Sequence, residues 1–449
     1  MDERNRNRLA NRKVSRRTLV KGAGAAAATG AMARFGAVSI RAQEEVELRW
    51  SMWSASEAET AVWQGLADDV KVAHPNITVT LETTTFADYW DKLTTQLASD
   101  TQADVIAMQS LRMPGFAARN ALAPLRPLID ADAEVAYDDF FTAIQEGLSF
   151  RDEIYAFAYD LGPIILYYNK DLFDAAGVAN PSPTEPLSWD QFVEAATTIT
   201  NAGEGQYGYT LQPSFTGFIP WLWSGGGDYM NAEETECTLN APEAVEALTF
   251  LTGLFTEQQI ATPITDLSNN NFASEQFTSG QVGMTTNGPW NFVNLRNDAT
   301  FAWDIAPLPA GPAGSTTWVA GSGFGLSRVT EHPDEAWQAL KVITSSESLQ
   351  KLAAAGRGYP ARQSAVPAFV DPEAPPEQVA IVEQVLTAEG MTRFLKTTTT
   401  WQETEIMLTR EFNPVFLGDQ SVDDTIATVK EEFDDLLERH QEIIERGGE

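Results

Sequence analysis

The chain has 449 residues, 43% of them hydrophobic and 21% charged, which is enough apolar content for two cores and too much for a disordered or collagen-like chain. Thirty basic residues against 63 acidic ones give a net charge of −33, and a body this acidic is repelled by phosphate backbones, so nucleic acid is not an expected partner. The single cysteine, Cys237, rules out an internal disulfide or a cysteine zinc cluster, and three scattered histidines offer no metal-ligand spacing.

Positive charge is concentrated at the front. Residues 1–42 hold ten basic side chains against Asp2 and Glu3, a net +8, so the remainder carries −41. Within this arm, Ser15-Arg16-Arg17-Thr18-Leu19-Val20-Lys21 precedes a small-residue run from Gly22 to Ala33. A basic segment, a short weakly apolar stretch and Ile40-Arg41-Ala42 together read as an export signal of the twin-arginine type, cut after Ala42. The apolar run falls short of the roughly 20 residues needed to span a bilayer. No cysteine lies near the cut to take a lipid anchor. The expected location is periplasmic or cell-surface associated, with the export machinery as a partner.

The rest alternates short apolar runs with longer amphipathic ones, the pattern of an α/β protein. Glu47 to Trp53 alternates as a strand, and Glu57 to Ala73 has helical spacing that ends at His74-Pro75-Asn76. Residues 77–81 form a strand, 89–98 a helix and 104–108 a third strand, which is a doubly wound pattern. Further on, 163–168 reads as a strand, and Trp189 to Thr200 as a helix capped by Ser188. Helices are expected over 241–259, 333–345 and 422–445, the last with Ile426, Val429, Phe433, Leu436 and Leu437 on one face.

Enzyme signatures are missing. There is no GxSxG elbow, no HExxH and no phosphate-binding loop, so no catalytic residue, cofactor or metal is assigned. Gly321-Ser322-Gly323-Phe324-Gly325 reads as a strand entered by a tight turn, where backbone must approach a neighbour closely. Tryptophan is the unusual resource, with 12 residues. Trp63, Trp189 and Trp337 lie on helix faces and are read as core. Trp53 follows the first strand, and Trp223 and Trp290 stand near Gly or Pro in expected loops, where an indole suits a ligand with apolar patches and a hydroxyl rim.

Several stretches carry a family pattern. Glu153-Ile154-Tyr155-Ala156-Phe157-Ala158-Tyr159-Asp160 is followed by Leu166-Tyr167-Tyr168-Asn169-Lys170-Asp171-Leu172-Phe173, and then by Ser188-Trp189-Asp190-Gln191-Phe192. Tyr89-Trp90-Asp91-Lys92-Leu93, Asn287-Gly288-Pro289-Trp290 and Tyr359-Pro360-Ala361-Arg362 occur in the same family order. On these motifs, across 44–449, the chain resembles the extracellular solute-binding proteins of ABC importers, in the carbohydrate-binding group that includes the maltose-binding protein. One departure is Ala158, where the family pattern has Pro.

The resemblance implies two α/β lobes of the periplasmic-binding-protein type, each doubly wound, with a ligand cleft and a hinge between them. One lobe comprises 43–161 and 309–360, the other 162–308 and 361–449. It implies a monomeric receptor that passes a di- or oligosaccharide to the importer's transmembrane subunits. The same fold could take a sugar phosphate, a polyamine or another polar solute, and an exported hydrolase is the rival of a different class. By position, the ligand residues would be Trp53, Ser54, Gln109, Ser110, Tyr159, Asp160, Trp221, Trp223, Trp290, Gly321, Ser322, Arg357 and Tyr359. Asp160 would meet sugar hydroxyls and Trp290 would lie beneath a ring. Arg357 would pair either a ligand anion or a neighbouring acid.

Overall fold

The computed structural model describes residues 44–446 apart from 265–268 and 270, so the export arm and its cut lie outside the described residues. Strand β1 (Val46–Trp53) is followed by α1 (Glu57–Ala73), whose first turn is held by Ser56, its hydroxyl accepting from the Glu59 N–H. Then come β2 (Ile77–Thr84), α2 (Phe86–Ala98), β3 (Val105–Gln109) and α3 (Met113–Ala118). Strand β1 lies between β2 and β3, parallel to both, as the alternating pattern requires. Indole packing fixes this layer. Trp50 meets Trp63 edge-on at 6.0 Å and Phe324 at 4.9 Å, all three buried.

The expected strand over 163–168 is instead the junction of two strands. Strand β4 (Phe157–Pro163) belongs to the first sheet and β5 (Ile165–Asn169) to a second, with only Ile164 between them. Pro163 has no N–H to continue a ladder, so the first sheet can end there and the chain can cross. Helix α4 (Trp189–Ile199) begins at Ser188 with a full capping box closed by Gln191. After β6 (Tyr207–Thr210) comes α5 (Phe215–Ser224), which corrects the expected loop around Trp221 and Trp223. Phe215, Phe218, Ile219 and Leu222 are buried together with both tryptophans, and a helix that buries this many large apolar side chains belongs in a core.

Helix α6 (Pro242–Thr256), β7 (Val282–Asn287) and β8 (Trp303–Ala306) complete the second unit's central elements. The chain then returns through the long β9 (Thr317–Leu326), followed by α7 (Pro333–Ile343), β10 (Tyr359–Pro360), β11 (Thr392–Phe394), α8 (Trp401–Leu417) and α9 (Val422–Arg446). The first sheet runs β10-β4-β9-β3-β1-β2, with β11 pairing the start of β9, and the second runs β8-β5-β7-β6. The Gly321 run is therefore not a turn but the interior of β9. Its close approach is real: a Cβ at Gly321 would stand 2.4 Å from the Asp160 carbonyl, and one at Gly323 2.4 Å from that of Phe157. Only glycine lets β9 and β4 lie this close.

Two buried clusters hold the fold: one packs the first sheet and continues onto Ile165, Tyr167, Val282, Trp303 and Ile305 of the second, and the other is built around Phe192, Tyr209, Phe218 and the inner face of α9. On one side the packing is continuous. Phe369 from the 361–385 segment stacks on Phe292 at 5.7 Å and meets Tyr359 edge-on at 5.2 Å, so this segment packs in the cluster that both sheets share.

Candidate ligand cleft

Between the two sheets lies a cleft of about 1150 Å³. Trp53 and Gln109, the last residues of β1 and β3, face it, as carboxyl-terminal strand ends do in doubly wound sheets. Trp53 packs against Phe86 at 5.3 Å, Tyr89 at 5.1 Å and Trp90 at 5.4 Å, which makes an aromatic wall. On the opposite side, half-buried Trp290 stacks on Trp318 at 6.2 Å with 22° between the planes. The Trp318 indole N–H donates to the Thr216 carbonyl at 2.8 Å, which fixes its plane. Asn287-Gly288-Pro289 delivers Trp290 by a tight bend: a Cβ at Gly288 would fall 2.2 Å from the indole.

The floor is ionic. Arg357 is buried, with its guanidinium donating to Asp160 Oδ2 at 3.2 Å and to the Tyr159 hydroxyl at 3.2 Å, and it pairs with Glu59 as well. It rests on the Trp63 ring, 5.0 Å from the centroid. Asp160 Oδ1 accepts from the Ser322 N–H at 2.8 Å, and Glu59 Oε2 from the Ala55 N–H at 2.8 Å. Burial pushes the Asp160 carboxyl up to about 6, and the opposing pull of Arg357 is the smaller effect. Of the two roles open to Arg357, the structure places it with neighbouring acids.

A second pair spans the cleft. Arg112, just beyond β3, pairs with Glu405 of α8 and with the Gln109 side chain. The guanidinium lies 4.6 Å from the Trp90 centroid and 5.2 Å from that of Phe86. Desolvation draws the Arg112 pKa down and Glu405 opposes it.

Trp53, Gln109, Asp160, Trp290, Gly321, Ser322 and Arg357 thus come together on the cleft. Six other expected positions lie off its lining. The Ser54 hydroxyl donates to the Ser56 carbonyl at 2.9 Å beside α1, in a separate shallow depression. Ser110 accepts from the Gly321 N–H at 3.2 Å and serves to tie β3 to β9. Tyr159 stacks on Phe324 at 4.7 Å in the first core, where Tyr359 is also buried. Trp221 donates to the Tyr209 hydroxyl at 3.2 Å inside the second core. Trp223 donates to Asp228 at 3.0 Å and carries the Arg393 guanidinium 4.3 Å above its ring. The sequence reading missed Glu59, Arg112, Trp318 and Glu405. Glu59 looks like any acid in a first helical turn, and the Arg112–Glu405 pairing joins residues 293 positions apart.

Among the described residues, no group of His, Cys, Asp and Glu is placed to hold a metal, and no helix is long and apolar enough to cross a membrane.

Two α/β sheets linked by crossing strands and facing one aromatic-walled, ion-paired cleft define a bilobal binding protein of the periplasmic-binding-protein fold. The sequence profile of the bacterial extracellular solute-binding proteins matches residues 54–350, and the chain belongs to that family. An arabinooligosaccharide-binding protein of Halalkalibacterium halodurans is 26% identical over 282 residues, covering 60% of this chain and 61% of that protein. A substrate-binding protein of Listeria monocytogenes solved with cycloalternan superposes with a TM-score of 0.80 at 23% identity, over 87% of this chain and 98% of that one. A maltose-bound T. maritima protein gives a TM-score of 0.76 at 22% identity, over 87% and 99%. The two structural likenesses bear on the fold; the family and its relatives are binding proteins.

Proposed function

We propose that this chain is an exported receptor that binds an uncharged di- or oligosaccharide between its lobes and delivers it, unaltered, to the transmembrane subunits of an ABC importer. The observation that carries the reading is a cleft with indoles on both walls whose two buried arginines already hold carboxylates. Indole faces meet the apolar faces of pyranose rings. A volume of about 1150 Å³ exceeds the roughly 300–1,000 Å³ that holds a drug-sized ligand, so there is room for more than one ring. The oligosaccharides named for the relatives support the same class.

A sugar phosphate is the less favoured solute, since neither buried arginine is left to meet it. A polyamine would have to lie beside both. The hydrolase reading loses support because Glu59 and Asp160, the buried acids on the floor, share Arg357 rather than standing free as an acid and a nucleophile. A thermal-shift screen over neutral oligosaccharides, sugar phosphates and polyamines tests the assignment, because a ligand of the folded state raises the melting temperature. A neutral oligosaccharide is expected to give the largest rise; a response confined to phosphates or polyamines would reverse the reading.

Export completes the proposal, with residues 1–42 as a twin-arginine signal and the mature chain acting outside the cytoplasm as a monomer. Arg16→Lys with Arg17→Lys is expected to trap the precursor inside the cell. Equal amounts of exported protein from both forms would count against the twin-arginine route.

A further inference from the structure

We infer that Glu405 is a specificity-determining residue: it neutralises Arg112 from across the cleft and so closes the site to solutes bearing a carboxylate or phosphate. Arg112 is 8% exposed and stacked against Trp90, so its charge is largely removed from water. Such a charge must have a partner. Arg357 finds its partners on its own side of the cleft, in Glu59 and Asp160. Arg112 instead takes its partner from α8, which is rooted in the second core, and the Thr216 hydroxyl steadies that carboxylate at 3.2 Å.

The geometry of the guanidinium says what would replace it. Nη1 is engaged by Gln109 and Nη2 by Glu405, while Nε has no hydrogen-bond partner although it is buried. Nε and Nη2 form one straight edge of the fork, the edge that takes two oxygens of a carboxylate or phosphate side by side. With Glu405 ionised on that edge, a solute anion would have to displace it and leave a second negative charge beside it. Without that charge, the same edge is an anion site within the cleft. An uncharged polyhydroxy solute is not penalised by Glu405, whose carboxylate accepts from hydroxyls.

The inference rests on the cleft being the solute site, but its test uses inorganic phosphate and no sugar, so its failure and the failure of the carbohydrate reading are separate results. Glu405→Gln keeps the shape and removes the charge. In thermal shift, the Glu405→Gln protein is expected to gain a saturable rise with phosphate over chloride at equal ionic strength. Wild type, and Arg112→Gln combined with Glu405→Gln, should both stay flat. If Glu405→Gln needs a counter-ion to fold, refolding from urea should recover it in phosphate and not in chloride. No phosphate response in Glu405→Gln, an equal response in wild type or the double variant, or failure to refold in either salt overturns the assignment.

Discussion

Arg357→Met is expected to lower the unfolding free energy by about 3–5 kcal/mol at neutral pH, the cost of leaving buried charge without its partner. Glu59 and Asp160 would face each other across an apolar side chain, and the Tyr159 hydroxyl would lose its donor. The loss should shrink as pH falls. Asp160 titrates at about 6 in the folded chain against 3.8 in the open chain, because burial disfavours its charge. Between those values the folded state binds a proton that the unfolded state does not, so stability falls as pH rises through the window. Removing Arg357 also removes the pull that opposes burial, which carries the window upward. Urea denaturation of both proteins at neutral and mildly acidic pH measures this. A stability loss near zero, or one that grows on acidification, contradicts the ionic floor.

Trp290→Ala is expected to act on affinity rather than on folding. Its indole is half-buried, stacked on Trp318 on one side and turned to the cleft on the other. By analogy with base–aromatic stacking, losing such a platform costs about 1–3 kcal/mol of binding, which is roughly 5–150-fold in Kd. Truncating a core tryptophan would instead cost about 3–5 kcal/mol of stability. Melting temperature without ligand and calorimetric affinity separate the two. A variant that melts far below wild type yet binds its sugar equally well would place Trp290 among the core residues. The fluorescence change that accompanies ligand closure should also shrink in this variant.

Local pattern carried the parallel strands β1, β2 and β3 of the first sheet. Helix α1 runs Glu57–Ala73 as its spacing and the His74-Pro75 stop indicate, and α9 buries the five residues read as its inner face. What the sequence concealed was the change of partner. The apolar run through Pro163 and Ile165 looks like one strand because both halves are buried and β-forming, and only the sheet pairing reveals the crossing between them. The tryptophans show the same limit. Trp223 and Trp290 both stand near glycine, but Trp223 is on a helix whose large side chains are buried, whereas Trp290 follows a bend held open by Gly288 and Pro289. Seven expected site residues do converge on the cleft, and the charges that tune it came from pairings too distant in sequence to read. Glu59 meets Arg357 only once the first lobe has folded, and Arg112 meets Glu405 only across the cleft.

The cleft is expected to bind a neutral oligosaccharide and release it unchanged. Isothermal titration of the mature protein with the best stabiliser from the thermal-shift screen, followed by chromatography of the recovered sugar, tests it most directly. The expected result is saturable one-to-one binding with a Kd in the micromolar range or below and intact sugar afterwards. Absence of binding by every neutral oligosaccharide, or the appearance of hydrolysed products, would contradict it.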